Sequence, residues 1–495
     1  MTHKIKRRDF LKVAGVTGLV AAFPAPAFAQ AQNANSKLNV ACIGTGGQGG
    51  YSLGGVSGEN VVALCDTDAN TLGRTAERFP QAKQFRDYRK MYDEIEKEID
   101  AVTVCTPDHT HAAPSILGMK LGKHCYCEKP LAHNVKEVRD MMAIAREKNL
   151  ATQMGTQIHA EANYRRVVEL VRANAIGTIN EVHVWCGSRW GGRPFSTETP
   201  AVPANLDWDL WLGPAPVRPY NPQYFGGAWR CYWAFGNGTL GDMACHYMDL
   251  PFWALGLRLP TTVEAFCETP ATPEVAPAQL RVEYTFAAGR GRGGIGGFGS
   301  GGGDGAAQRP TGAGPTGAGP GGGVGAGAAQ RPAGGGAGAG GAAQRPAGAG
   351  GAGQQRPAIT LNWYDGGLKP SILKEKELPD WGSGVLFVGS DGMLMADYGQ
   401  RILFPREKFA NYQAPAETIP NSVGHHREWI NACKTGSQPT CNFNYSGPLA
   451  ETVLLGAVAF RTGKKLEWDA QNMRATNVPE ADQYLSRTYR QGWEV

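Results

Sequence analysis

Short apolar runs alternate with longer amphipathic segments near the start of the chain. Residues 38–43, 61–65 and 101–105 are largely apolar, which is typical of strands buried on both faces of a parallel sheet. Between the runs lie segments with apolar residues at helical spacing, of which residues 135–147 are the clearest. This alternation predicts an α/β domain with a doubly wound parallel sheet over residues 36–157.

Three glycines, Gly44, Gly46 and Gly49, follow the first run in the order G-x-G-x-x-G. Between a strand and a helix, such glycines allow a tight turn, close approach of a pyrophosphate and close helix packing. The helix start offers free N–H groups to the phosphates. Asp66 ends the second run, where it can accept hydrogen bonds from ribose hydroxyls and would repel a 2′-phosphate. The stretch predicts a site that favours NAD over NADP, although 68 glycines could form this pattern by chance.

A lysine follows a later short run, residues 124–127, in the tripeptide Glu128-Lys129-Pro130. Pro130 biases Lys129 away from helical backbone angles, so we expect the lysine at an extended strand tip. There it could hydrogen-bond a substrate hydroxyl and share in its proton transfer, with Glu128 holding its orientation. For a single lysine, a solvated surface charge is the alternative interpretation.

A second domain is predicted over residues 158–495, because strand patterning resumes there, for example at residues 280–286 and 359–364. Residues 288–357 separate these two strands and are rich in Gly, Ala and Pro, with AAQRP repeats. Such a tract cannot bury enough apolar surface to offset the entropy of ordering it. We therefore expect a disordered insert, most simply a solvated spacer, between neighbouring strands.

Candidate substrate residues lie in this second part. Trp190, Trp229 and Arg230 occur in loops, where aromatic faces can stack on pyranose rings and arginines can bond hydroxyls; core packing is the alternative. Asp242 and His246 are four residues apart after a glycine-rich lead-in, so on a helix they would share one face. Histidine can take and return a proton near neutral pH, and the acid can orient it. A capping Asp and a packed His are the alternative interpretation.

The motifs carry a family resemblance. The glycine fingerprint, Thr106-Pro107 with His111, and Glu128-Lys129-Pro130 occur in this order, and the chain resembles the Gfo/Idh/MocA family of nicotinamide-dependent sugar and cyclitol oxidoreductases. The resemblance covers nearly the whole mature chain apart from the insert. It implies an N-terminal Rossmann domain and an α+β C-terminal domain with an open, mainly antiparallel sheet. It also implies a homo-oligomer, a dimer or tetramer, that pairs through this sheet.

Site residues follow from the same resemblance. Lys129 is implied to lie at the nicotinamide and to contact the reacting hydroxyl, with Asp242 and His246 as the other catalytic residues. The implied cofactor-binding residues are Gly44, Gly46, Gly49, Asp66, Thr106, Pro107, His111, Glu128 and Lys129.

The N-terminus has the features of an export signal. Arg7 and Arg8 form a twin-arginine motif, followed by a modest apolar run over residues 13–23, too short to span a membrane comfortably. Small residues around Ala29 then supply a cleavage site. We predict a signal peptide over residues 1–29 and a periplasmic protein exported by the twin-arginine route, with no membrane span in the mature chain.

The composition of the chain limits the kinds of partner and ligand that we expect it to bind. A net charge of +5 is mild and does not suggest nucleic acid. The 11 cysteines are an odd number, and Cys42 and Cys65 lie in apolar runs, as buried thiols do. Cys125 and Cys127 form C-x-C, which is not a typical zinc spacing, so we predict no metal site.

The sequence thus predicts an NAD-dependent oxidoreductase that acts on a sugar, sugar derivative or cyclitol. Because the periplasm has no known pool of free NAD, we expect a tightly bound cofactor and a redox-neutral cycle. One alternative is an NAD-dependent glycoside hydrolase that works by transient oxidation and elimination. A second alternative is a non-catalytic carbohydrate-binding protein on the same fold.

Overall fold

The computed structural model describes residues 36–290 and 355–495. The predicted signal peptide, and all of the predicted insert except its two ends, lie outside the described residues. Within the described ranges, no helix combines the length and apolarity that a membrane crossing requires.

The first sheet is built from the apolar runs near the start of the chain. Its six strands are all parallel and lie in the order β3-β2-β1-β4-β5-β6, which is the doubly wound order of the predicted Rossmann domain. The strands are β1 (Asn39–Ile43), β2 (Asn60–Cys65), β3 (Lys83–Phe85), β4 (Ala101–Val104), β5 (His124–Cys127) and β6 (Thr152–Met154).

Helices connect these strands, as the amphipathic spacing predicts. Three of them begin at side-chain caps, because Asp68, Asp87 and Asn134 each accept a hydrogen bond from a backbone N–H in the first turn. The helices are α1 (Gln48–Val56), α2 (Ala69–Arg78), α3 (Tyr88–Ile95), α4 (Ala112–Lys120) and α5 (Val135–Glu147).

The second sheet has nine strands in the order β15-β14-β13-β7-β12-β9-β8-β16-β17. All of its strand pairs are antiparallel except β7 with β12, so the predicted mainly antiparallel sheet is confirmed. The strands are β7 (Ile179–Trp185), β8 (Thr262–Phe266), β9 (Arg281–Phe286), β12 (Ile359–Tyr364), β13 (Gly384–Gly389), β14 (Met393–Ala396), β15 (Arg401–Phe404), β16 (Leu466–Asp469) and β17 (Arg474–Ala475).

Two short strands lie at the ends of the predicted insert. Strands β10 (Gly289–Arg290) and β11 (Gln355–Arg356) pair antiparallel as a separate two-stranded sheet, in line with the pairing of β9 and β12. The residues at the start and end of the insert therefore lie next to each other in space.

Helices from the second half of the chain complete the first domain. Trp429 on α11 packs in one buried cluster with Val40 and Leu53 of the Rossmann domain. Arg139 on α5 forms an ion pair with Glu451 on α12, so this helix also packs on the first domain. The helices are α6 (Ala162–Arg172), α7 (Trp208–Leu212), α8 (Gly238–Tyr247), α9 (Asp249–Leu255), α10 (Ile372–Glu375), α11 (His425–Thr435), α12 (Phe443–Thr462) and α13 (Asp482–Leu485).

Candidate active site

The glycine turn between β1 and α1 has the geometry that its sequence predicts. Gly44 has φ +77°, and a Cβ there would lie 2.6 Å from the Cys105 carbonyl oxygen. A Cβ at Gly49 would lie 2.1 Å from the Gly44 carbonyl oxygen, so only glycine allows α1 to pack this close. At Gly46 a Cβ would press on the Thr71 side chain at 3.0 Å.

Asp66 lies at the tip of β2, beside this turn. Its Oδ2 accepts hydrogen bonds from the Thr45 backbone N–H at 2.9 Å and from the Thr45 hydroxyl at 3.2 Å. Burial raises the pKa of Asp66, and the hydrogen bonds from Asp68 and Thr45 partly oppose that effect. The carboxylate therefore supports the turn and also lines the cavity next to it.

One cavity of about 570 Å³ runs from the glycine turn to the second domain. Of the predicted cofactor residues, Gly44, Gly46, Asp66, Thr106, Pro107, His111, Glu128 and Lys129 line it, and Gly49 lies behind Gly44. The predicted substrate residues Trp190, Trp229 and Arg230 line the same cavity. The fold therefore brings two sets of residues together that are far apart in the sequence.

Asp242 is the centre of the polar contacts at the second-domain end of the cavity. Its Oδ1 accepts a hydrogen bond from Lys129 Nζ at 2.5 Å, and its Oδ2 accepts one from Trp190 Nε1 at 2.7 Å. Arg230 Nε lies 2.8 Å from Asp242 Oδ1. Burial disfavours the charged carboxylate, but Lys129 and Arg230 outweigh it and hold the pKa of Asp242 well below its usual range.

His246 shares α8 with Asp242, as predicted, but it is not among the residues that line the cavity. Burial, together with the nearby charge of Lys129, lowers the pKa of His246 to about 3. The imidazole is therefore neutral near pH 7. Lys129 is close enough to act on it electrostatically, while the direct ionic partner of Lys129 is Asp242.

Glu128 does not hold the Lys129 side chain, contrary to the sequence expectation. Its carboxylate points to the first turn of α1, where Gln48 and Ser52 donate to it at 3.3 Å, and Gln157 donates at 3.1 Å. The chain bends after β5 ends at Cys127, and the Lys129 side chain turns to Asp242 of α8 instead. The role expected of Glu128 is taken by Asp242.

Asp108, the residue after Thr106-Pro107, has no role assigned from the sequence and belongs to the same cluster of charges. Asp108 is 2% exposed, and burial raises its pKa to about 8, although Arg230 and Lys129 oppose the shift. The cluster therefore holds one ionised carboxylate, Asp242, and one carboxylic acid that keeps its proton near neutral pH. Only its position could have identified Asp108 from the sequence. It follows a predicted strand, and strand ends in such sheets face the ligand crevice.

A segment of the second domain crosses the adenosine end of the cavity; we call residues 205–207 the clasp. Ala69 N donates to the Asn205 carbonyl at 2.8 Å, and Asp207 N donates to the Thr67 carbonyl at 3.0 Å. The Asn205 amide also donates to Asp68 at 2.7 Å.

A tryptophan near the C-terminal end of the sequence also covers part of the cavity, as the clasp does. Trp493 lines the same cavity and is 5% exposed. Its ring lies under the Arg89 guanidinium at 3.9 Å, and Arg89 also donates to the Gly492 carbonyl at 2.9 Å.

These features define an α/β protein of two domains. The crevice that fits a dinucleotide faces the second domain, which carries the candidate substrate-binding residues. The model of the oxidoreductase family's NAD-binding Rossmann fold matches residues 38–156, and that of its C-terminal alpha/beta domain matches residues 131–291. The chain belongs to the Gfo/Idh/MocA oxidoreductase family, and its first domain is the NAD-binding one.

Two named relatives are similar in sequence to part of the chain. Levoglucosan dehydrogenase from Pseudarthrobacter phenanthrenivorans is 26% identical over 200 residues, or 39% of this chain and 42% of the relative. Inositol 2-dehydrogenase from Rubrobacter xylanophilus is 31% identical over 149 residues, or 29% of this chain and 42% of the relative. The matched part therefore spans about two fifths of these relatives' length.

A solved structure agrees over a longer stretch. The WlbA dehydrogenase from Bordetella pertussis, in complex with NADH and UDP-GlcNAcA, is 16% identical with a TM-score of 0.53. The match covers 88% of this chain and 99% of that one, and it supports the two-domain fold.

The residues of the crevice fit NAD. Gly47 in the glycine turn lines the cavity and has no protein atom within 4 Å of the place a Cβ would take, and the buried Thr106 hydroxyl has no partner among the described residues. Asp66 faces the position where a ribose would lie if the pyrophosphate is bound at the turn.

Proposed function

We propose that this protein is an NAD-dependent oxidoreductase that acts on a hydroxyl group of a sugar, sugar derivative or cyclitol. The observation that carries the proposal is the Lys129–Asp242 pair, because Lys129 lines the same cavity as the glycine turn and Asp242 holds it there. The relatives named as levoglucosan and inositol dehydrogenases support this substrate class.

Lys129 is positioned to bind the reacting oxygen. Its side chain is 9% exposed, so its remaining N–H groups point to a nearly water-free site, where a hydrogen bond to a hydroxyl is strengthened. When bound, NAD supplies the acceptor for the hydride that leaves the carbinol carbon. Lys129 hydrogen-bonds the reacting oxygen and relays its proton to the neutral His246, while Asp242 stays ionised and holds Lys129 in place.

The ring of the substrate would lie against the aromatic side of the cavity. Arg230 stacks on Trp229 at 4.2 Å and lies near Asp242, so its position is held from two directions. Trp190 is held by its hydrogen bond to Asp242. These contacts pre-position an indole face and a guanidinium for a polyhydroxylated ring.

We also propose that NAD remains bound through the catalytic cycle and that the protein is exported by the twin-arginine route with its cofactor. The clasp and Trp493 both border the crevice, so dissociation of the cofactor would require these contacts to open. A retained cofactor must be recycled on the protein. One substrate is then oxidised and a second is reduced in ping-pong order.

A glycoside hydrolase is the second candidate, and Asp108 is the observation that favours it. Oxidation beside a glycosidic bond acidifies the neighbouring C–H, the aglycone leaves by elimination, water adds, and the hydride returns to the sugar. Departure of the aglycone needs a proton donor, and Asp108 is a carboxylic acid that stays protonated within electrostatic range of Lys129. Asp108 does not line the cavity, so its proton would reach the aglycone through Lys129, which does.

One experiment distinguishes these functions. The natively purified protein is analysed by mass spectrometry for bound nicotinamide, and then incubated without added NAD with p-nitrophenyl glycosides or with pairs of sugars and ketoses. Exchange between two sugars supports the oxidoreductase, whereas nitrophenol release without change at 340 nm supports the hydrolase. Protein with no bound nicotinamide and no turnover would indicate a carbohydrate-binding protein and refute both.

A further inference from the structure

A second cavity, of about 240 Å³, shares no lining residue with the first. Its walls come from the start of α5, the loop before α8, helix α12 and the segment around α13. Leu454, Ala457 and Val458 of α12 form an apolar wall, while the facing walls are polar.

Several buried polar atoms on these walls have no hydrogen-bond partner among the described residues. They are His133 Nε2, Asn134 Nδ2, Arg218 Nε and Arg487 Nη1. Asn134 is 6% exposed, and its Oδ1 is occupied by the cap of α5, so its amide nitrogen is free to bond a ligand. Buried polar groups are nearly always paired in native proteins, so a group of unpaired ones around one cavity indicates an occupant.

The charges around this cavity do not balance. Arg218 is paired with Glu274 at 3.1 Å, and Arg487 is paired with Glu137 at 2.8 Å. The third guanidinium, Arg461, lies over the Tyr484 ring at 4.0 Å and 5.3 Å from the Trp233 ring. Among the described carboxylates none forms an ion pair with Arg461, and burial lowers its pKa. An unpaired, partly buried guanidinium is stabilised by an anion.

We propose that this second cavity binds a small hydroxylated anion, with a carboxylate or phosphoryl group paired to Arg461. Asn134 and Arg487 donate hydrogen bonds to the anionic group, and the α12 wall packs against the carbon skeleton. The neutral His133 ring can accept a hydrogen bond from a ligand hydroxyl through Nε2. A sugar acid or a sugar phosphate has this combination of groups.

The occupant would contact segments that support the active site. Asn237, which lines this cavity, donates to the His133 carbonyl at 3.3 Å and immediately precedes α8, which carries Asp242. Arg487 donates to the carbonyl of His109, the neighbour of Asp108. Occupancy is therefore linked to the segment that carries Asp242 and to the segment that carries Asp108.

Isothermal titration of the cofactor-loaded protein tests the proposal with inorganic phosphate, glucuronate and glucose. We expect glucuronate or phosphate to bind, and the stronger of the two identifies the anionic group. Glucose, a neutral analogue of glucuronate, should bind at least tenfold more weakly. Equal binding of glucose and glucuronate, or no binding of either anion, would overturn the proposal.

Two variants assign any binding to this cavity. Asn134→Asp keeps the oxygen that caps α5 but replaces the free N–H₂ donor by a negative charge, so it should abolish anion binding without unfolding the protein. Arg461→Gln should weaken binding at least tenfold. Arg172→Gln, which removes another desolvated guanidinium far from this cavity, is the control and should bind like the parent protein. Binding that persists in the first two variants would place the anion elsewhere and refute the assignment.

Discussion

At the scale of single residues, the active site depends on which side chain neutralises Lys129. Glu128 is next to Lys129 in the sequence, but its side chain points to α1, and Asp242 from α8 makes the ion pair instead. Chemical type and motif spacing predicted the members of the site. The family resemblance implied that Asp242 lies across from Lys129, but the orientation of Glu128 toward α1 could not be predicted, because it depends on tertiary packing.

Replacing Lys129 by Met tests the catalytic pair. Loss of the ammonium should lower kcat by about 10²- to 10⁴-fold, the usual contribution of a positioned proton-transfer group. Bound NAD should remain, because the glycine turn is untouched, and mass spectrometry of the purified variant checks this. Lys136→Met, which removes an exposed lysine paired with Asp140, is the control and should leave turnover unchanged. A Lys129→Met protein with more than about a tenth of the parent activity would contradict the assigned role.

Asp108 predicts a specific pH dependence of stability. Its pKa is raised from 3.8 to about 8, so between these values the folded protein keeps a proton that the unfolded chain releases. The free energy of unfolding should therefore fall as pH rises through this window, by up to about 1.4 kcal/mol per pH unit from this group.

The Asp108→Asn variant cannot release that proton. Urea unfolding at pH 5, 6, 7 and 8 should show it gaining stability relative to the parent as pH rises. The exposed Asp140→Asn variant should show no such trend. A constant difference between Asp108→Asn and the parent across this range would mean that Asp108 is ionised throughout.

At the scale of elements, the strands and most helices follow from periodicity, and the exceptions have local causes. The apolar pattern of the sequence predicts a helix over residues 448–463. Helix α12 begins at Phe443 instead, capped by Asn442, with Pro448 in its interior. The Asn444 carbonyl, which Pro448 cannot bond, accepts a hydrogen bond from Arg258. This compensating contact comes from a distant segment and left no signal in the local pattern.

The clasp and the tryptophan beside it predict the kinetics of cofactor release. Trp493→Ala should speed NAD dissociation, about tenfold for each 1.4 kcal/mol of lost contact. Exchange of bound NAD for an isotopically labelled NAD, followed by mass spectrometry, measures the rate.

The control for this experiment is Trp381→Ala. Trp381 is a half-buried tryptophan that packs with the far part of the second sheet and does not line the cavity. If both variants exchange NAD at the parent rate, Trp493 does not restrict the crevice.

At the scale of the whole molecule, the order of the first sheet was predictable but the order of the second was not. Right-handed crossovers between parallel strands restrict the first sheet to few arrangements. In the second sheet, β8 pairs with β16 from near the end of the chain, and such long-range antiparallel pairs carry no local sequence signal.

The β10–β11 pair allows the contribution of the insert to stability and turnover to be tested by deletion. Because Arg290 and Gln355 are paired, residues 291–354 can be replaced by Asn-Gly, the usual two-residue hairpin turn. Closing a flexible loop costs about 0.6 kcal/mol more for each doubling of its length, so the shortened protein should gain up to about 3 kcal/mol.

Chemical unfolding measures the stability of the shortened protein, and the sugar-exchange assay measures its turnover. Turnover should be unchanged, since β9 and β12 stay paired in the same register. A shortened protein that folds but loses turnover would give the insert a catalytic role.

The packing of Trp429 against Val40 and Leu53 has a consequence for how the protein is made. The nascent Rossmann domain cannot finish its hydrophobic core while residues around 429 are still inside the ribosome. We therefore expect this cluster to close only after α11 has been synthesised, so that apolar residues of the first sheet stay exposed until then. A ribosome-bound chain halted before α11 should remain protease-sensitive and unable to capture the dinucleotide.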